Sequence, residues 1–98
     1  MYGNTSIVST QSPYTPVDTD TFLFVDTTGG AVTIDLPAAS GRTGPIRVKD
    51  IKGDAATNNI TITPNGTDTI DGLSSLVINS NYGGYFLYPV SGGWTLSP

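Results

Sequence analysis

Phe22-Leu23-Phe24-Val25-Asp26-Thr27-Thr28-Gly29-Gly30-Ala31-Val32-Thr33-Ile34-Asp35-Leu36-Pro37 is two short apolar runs joined at a Gly-Gly pair and closed by a proline. In the second run Val32, Ile34 and Leu36 alternate with Thr33 and Asp35, the period-2 pattern of a half-buried strand. Gly29-Gly30 supplies the turn of a hairpin between the runs. No side chain in the stretch suits catalysis, so it points to a structural module.

The rest of the chain repeats this grammar. After 21–26 and 31–36, strands are expected at 46–51, 59–64, 75–79, 85–90 and 94–96. Turn chemistry lies between them at Gly41 to Pro45, Gly53 to Asn58, Asn65-Gly66, Asn81 to Gly84 and Ser91-Gly92-Gly93. Seven short strands at this spacing predict an all-β domain, a small sandwich of jelly-roll-like type over residues 19–98. Val32-Thr33-Ile34-Asp35-Leu36-Pro37 is echoed by Ile60-Thr61-Ile62-Thr63-Pro64, which we read as two strands with equivalent places in facing sheets. The expected core is Phe22, Phe24, Val32, Ile34, Leu36, Ile60, Ile62, Leu76, Ile78 and Trp94.

Residues 1–18 differ. They are polar, have no charged side chain before Asp18, and contain Pro13 and Pro16, which exclude a helix across them. The expectation is an extended N-terminal arm that docks on a partner through Tyr2, Ile7, Val8 and Tyr14.

Composition narrows the function. The 98 residues make one small domain, burying only about 60–70% of its unfolded surface. There is no cysteine, so no disulfide or thiolate site, and no histidine, the commonest general base and metal ligand. All eight acids are Asp, which serves turns and caps through its short carboxylate. Fifteen Thr, twelve Gly, nine Ser and seven Pro suit strands and turns. A chain of this size with no disulfide must pack very well or oligomerise. Its net charge of −4 argues against nucleic-acid binding. No apolar run reaches the roughly 20 residues of a membrane span. The N-terminal residues lack the basic-then-apolar pattern of a signal peptide, so synthesis in a cytosol is expected.

No catalytic constellation is evident. Ser and Thr abound without an ordinary base. Paired Asp carboxylates remain, but a domain this small has little room for a sugar cleft. Gly66-x-Asp68-x-Ile70 fits part of a calcium-binding repeat, yet occurs once and lacks a bidentate Glu. We expect no enzyme activity, metal or cofactor. The candidate contacts are of another kind. All four cations, Arg42, Arg47, Lys49 and Lys52, fall within eleven residues, either as a solvated strand face or as a contact with an acidic partner. In 85–90, Tyr85 and Leu87 face one way and Phe86 and Tyr88 the other. A strand apolar on both faces is covered on both, either as the central strand of a sandwich or by another subunit, and the second reading makes Tyr85, Phe86 and Tyr88 candidate subunit contacts.

The succession of 24–39 with Ile46-Arg47-Val48-Lys49-Asp50, Asn59-Ile60-Thr61-Ile62-Thr63-Pro64-Asn65-Gly66, Thr69-Ile70-Asp71-Gly72 and Gly93-Trp94 resembles an all-β module of tailed-bacteriophage virion proteins. The resemblance runs from about Thr21 to Leu96. It implies a virion setting and a homotrimer, as in tail and head fibres and capsid decoration proteins. Because the module fills nearly the whole chain, the expected role is a capsid decoration (cement) protein. It would sit on the outer capsid surface, bind the major capsid protein through the arm and basic strand, and bind neither nucleic acid nor membrane. The alternative is a fibre tip or adaptor that contacts a host-surface glycan through Asn81, Tyr82 and Tyr85.

Overall fold

The computed structural model describes residues 3–17 and 20–97. Among them are nine strands: β1 (Gly3–Val8), β2 (Asp20–Asp26), β3 (Val32–Asp35), β4 (Ile46–Asp50), β5 (Ile60–Thr63), β6 (Thr69–Ile70), β7 (Leu76–Ile78), β8 (Gly84–Val90) and β9 (Gly93–Ser97). They form a six-stranded sheet in the order β1-β2-β4-β8-β9-β6 and a three-stranded sheet in the order β3-β5-β7. The all-β class and the two sheets agree with the sequence reading. The strands beyond the expected seven are β1 and the two-residue β6.

The chain alternates between the sheets as it advances. β1 and β2 pair in parallel, as do β2 and β4, while β3 and β5 pair in parallel in the other sheet. Tyr14, between β1 and β2 in sequence, makes a parallel bridge to Ile34. Residues 3–63 therefore wind through three stacked coils, each touching both sheets, as in a short solenoid. The remaining strands close one end: β7 lies antiparallel on β5, β8 antiparallel on β4, and β9 antiparallel on β8, with β6 parallel to β9. This differs from an antiparallel jelly roll.

The opening hairpin is corrected by this path. β2 and β3 lie in different sheets, so the Thr27–Gly30 turn, closed by a Gly30 N–H to Thr27 carbonyl bond of 3.0 Å, carries the chain from one sheet to the other. The echo is corrected too, because its two halves are neighbours. Val32 lies beside Ile60, Thr33 beside Thr61, Ile34 beside Ile62 and Asp35 beside Thr63. Like stacks on like, and Thr63 Oγ1 donates to Asp35 Oδ1 at 2.5 Å.

Between the sheets lies one apolar cluster. Ile7, Leu23, Val25, Ile46, Val48 and Leu87 come from the larger sheet, and Val32, Ile34, Ile60, Ile62 and Ile78 from the smaller, with Leu36, Ile70 and Trp94 also buried. Phe22 and Phe24 were expected in this core. Their strand neighbours Leu23 and Val25 occupy it instead, and alternation turns both rings to the outside of the sheet. Leu76 is half-buried against the core's margin.

Segment 1–18, expected as a docking arm, is in its described part woven into the fold. β1 extends the sheet beside β2, and Ile7 is fully buried in the core. Tyr14 packs against the core, and its hydroxyl donates to Asp20 Oδ2 at 2.6 Å. Tyr2 lies outside the described residues.

Candidate interaction face

Alternation along β2, β4 and β8 and the register between them decide what the outer face of the six-stranded sheet carries. Phe22 lies opposite Arg47, and Arg47 opposite Phe86. One row on, Phe24 lies opposite Lys49, and Lys49 opposite Gly84. The aromatic rings touch in sequence: Phe22 and Phe24 stack with centroids 6.2 Å apart, Phe22 meets Phe86 edge-on at 6.2 Å, and Phe86 meets Tyr88 at 6.2 Å. Offset and edge-on contacts of this kind are the favoured aromatic geometries. The Arg47 guanidinium lies 4.5 Å over the Phe86 ring, and no described residue accepts a hydrogen bond from it. A guanidinium held on a ring keeps its fork of donors oriented for a partner. These rings are half-buried rather than buried, and Tyr88 is exposed.

Lys49 is spent differently. Its Nζ donates to the Tyr82 carbonyl and lies 5.6 Å over the Tyr82 ring. Gly84 leaves the space this side chain crosses, since a Cβ there would stand 3.2 Å from Lys49 Cδ and 2.6 Å from the Val48 carbonyl.

The other expected site residues fall elsewhere. Arg42 is an internal staple, donating to the Val17 and Asp20 carbonyls at 2.8 Å each. Lys52 is exposed on the loop after β4; hydrogen bonds from Thr28 hold the Asp26 carboxyl below the ordinary value, and the Lys52 charge adds a smaller part. Val8 is exposed at the end of β1. Tyr85 turns inward and packs against the core, so it does not share a face with Phe86 and Tyr88. Of the fibre-tip candidates, Asn81 Oδ1 accepts the Ala56 N–H at 2.9 Å and is thereby committed to holding a loop. Tyr82 is 59% exposed, with its ring packed over Gly53. Beside it Ile78, Asn79, Ser80, Gly83, Gly84 and Tyr85 line a shallow depression of about 150 Å³. The residues that sequence reasoning missed on the outer face are Phe22 and Phe24.

Two buried carboxylates frame the fold and are otherwise occupied. Asp50 accepts the N–H groups of Lys52 and Gly53 on Oδ1, and those of Ala55 and Tyr82 on Oδ2, at 2.9–3.1 Å. Burial works against its charge, but these four donors outweigh it and hold its pKa below the ordinary carboxylate value. Asp20 accepts from Thr5 Oγ1 at 2.5 Å, from the Tyr14 hydroxyl and from the Val17 N–H at 2.9 Å. Here too burial opposes the charge, and the hydrogen bonds, aided by Arg42, lower the pKa. Burial, then the bond to Asp20 and its charge, push the Tyr14 phenol up to about 12. Both acids are saturated by the chain's own donors. Among the described residues no group of three or more Asp side chains is placed to hold a metal.

What the geometry displays is thus an outer sheet face of stacked rings and an oriented guanidinium, on a scaffold whose buried acids are occupied by its own backbone and hydroxyl donors. Compared with known families, the chain matches the description "Bacteriophage T4 gp9/10-like protein, N-terminal" over residues 1–90. The chain belongs to the bacteriophage T4 gp9/10-like family. It is a module of tailed-bacteriophage virion proteins, a structural class, and the match takes in β1 through β8 and with them the whole aromatic face. No curated protein matches the chain. In this gp9/10-like module the face, rather than any cleft, is the candidate functional site.

Proposed function

We propose that the chain is a structural module of the tail or fibre parts of a phage particle, and that copies of it join through the outer face of the six-stranded sheet into a homotrimer. The observation that carries this reading is the contiguous row Phe22, Phe24, Phe86 and Tyr88 with Arg47 laid over it, in a family of phage structural proteins. Contiguous aromatic surface on a small soluble domain marks an interaction site. Aromatic residues with Arg are the residue types that dominate subunit contacts. Threefold closure repeats every contact three times, so individually modest contacts add. The role is binding and mechanical coupling, without chemistry at the face.

The copy number per particle tests the location. A few dozen copies or fewer, measured by quantitative mass spectrometry of purified particles, is the expected result. Hundreds of copies would place the protein on the shell as a decoration protein and overturn the tail-or-fibre assignment.

A further inference from the structure

β1 is the terminal strand of the six-stranded sheet on its side, with β2 on one edge and no described strand on the other. Its inward side chains are committed, Ile7 to the core and Thr5 to Asp20. Natural edge strands are blunted by lysines, prolines, bulges or short length. β1 has six residues, no Lys or Pro, and a register irregularity only at its start, between Gly3 and Asn4. At its other end the Val8 N–H is taken by Gln11 Oε1 at 2.9 Å. The backbone between these points forms an open edge.

The corresponding edge of the other sheet is closed. There the first coil contributes only the Tyr14 bridge to Ile34, in a segment carrying Pro13 and Pro16, neither of which has an N–H to give. A further whole coil, which needs both edges, cannot be stacked on this end; a single strand can. Two β1 edges meeting across a twofold axis would share a strip about 20 Å long. That is far short of the roughly 800 Å² per partner that a stable interface needs. A segment belonging to a neighbour already held in the same particle needs no such area, because tethering supplies a high effective concentration.

We propose that the outer edge of β1 receives one extended segment of a different chain of the phage particle as an added strand. The segment is uncharged and rich in β-branched residues, matching an edge with no charged side chain. This inference rests on the phage-particle reading but not on the trimer face, and the two fail separately.

The test compares backbone hydrogen exchange over 3–8 in the free protein and in assembled particles, together with Ser6→Pro, which removes an N–H from the open edge and puts no charge beside Phe24, its neighbour in register. The expected result is exchange at least tenfold slower in the particle. The variant should keep its solution mass while its incorporation falls at least tenfold. Because the chain has no cysteine, Ser6→Cys gives a unique site for a maleimide-benzophenone, whose photo-insertion into a neighbouring C–H bond should link it to a chain of different mass. Equal exchange in both states, linkage only between copies of this protein, or undiminished incorporation of the Pro variant would overturn the proposal. A Phe86→Ser variant, by contrast, should change solution mass while leaving exchange of the edge in the free protein unaltered.

Discussion

Asp50 shows how single side chains hold this molecule together. One carboxylate gathers four N–H groups from two loops, 52–55 and the turn at Tyr82. Asp50→Asn turns one acceptor oxygen into a donor facing two donors. It should cost about 2–4 kcal/mol, measured by urea unfolding at pH 7 with an unchanged slope. Asp20 and Asp50 both have folded-state pKa values below the ordinary 3.8. Their contribution is fully present above that value and is lost as pH falls through the lower, folded value. Stability should be flat from pH 7 to about pH 5 and decline steadily below about pH 4, with a shallower decline in Asp50→Asn. Arginines separate in the same way. Arg42→Ala removes two bonds to backbone carbonyls and should cost about 1–2 kcal/mol, whereas Arg47→Ala should change monomer stability by less than about 1 kcal/mol and act on assembly.

At the scale of elements, the stacked pair β3 and β5 is the centre of the smaller sheet. Ile34 and Ile62 are fully buried and adjacent. Ile34→Ala should cost about 2–5 kcal/mol. Combined with Ile62→Val in a double-mutant cycle, it should deviate from additivity by about 0.5 kcal/mol or more, because the two side chains share one contact. The strand at 32–35 was legible because its apolar positions alternate cleanly with Thr and Asp. Its partner was not, because a Gly-Gly turn serves a hairpin and a sheet-to-sheet crossing equally well, and pairing is decided by contacts distant in sequence. The repeat of Val-Thr-Ile against Ile-Thr-Ile held the correct information: it is the register of two parallel neighbours. Phe22 and Phe24 were misplaced because β2 is apolar on both faces, so periodicity alone could not choose which face turns inward. β1 was hidden by its polar composition, and only Ile7 carries it into the core.

For the whole molecule, the candidate site was legible in pieces. Arg47 with Lys49 and Phe86 with Tyr88 were each singled out on their own strands, and the β4–β8 register unites them with two phenylalanines from β2. Arg42, Ile7 and Tyr14 shared the residue types of a contact surface but serve the monomer, a distinction that only burial and hydrogen bonding reveal. The central claim is that this aromatic face joins copies of the chain. Light-scattering mass in solution tests it most directly, on the native protein and on Phe24→Ser/Phe86→Ser, whose positions lie outside the core. The account predicts three times the 10.2 kDa chain mass for the native protein and a single chain mass for the folded variant. A native mass of one chain across the concentration range, or a variant that retains the native assembly, would contradict it.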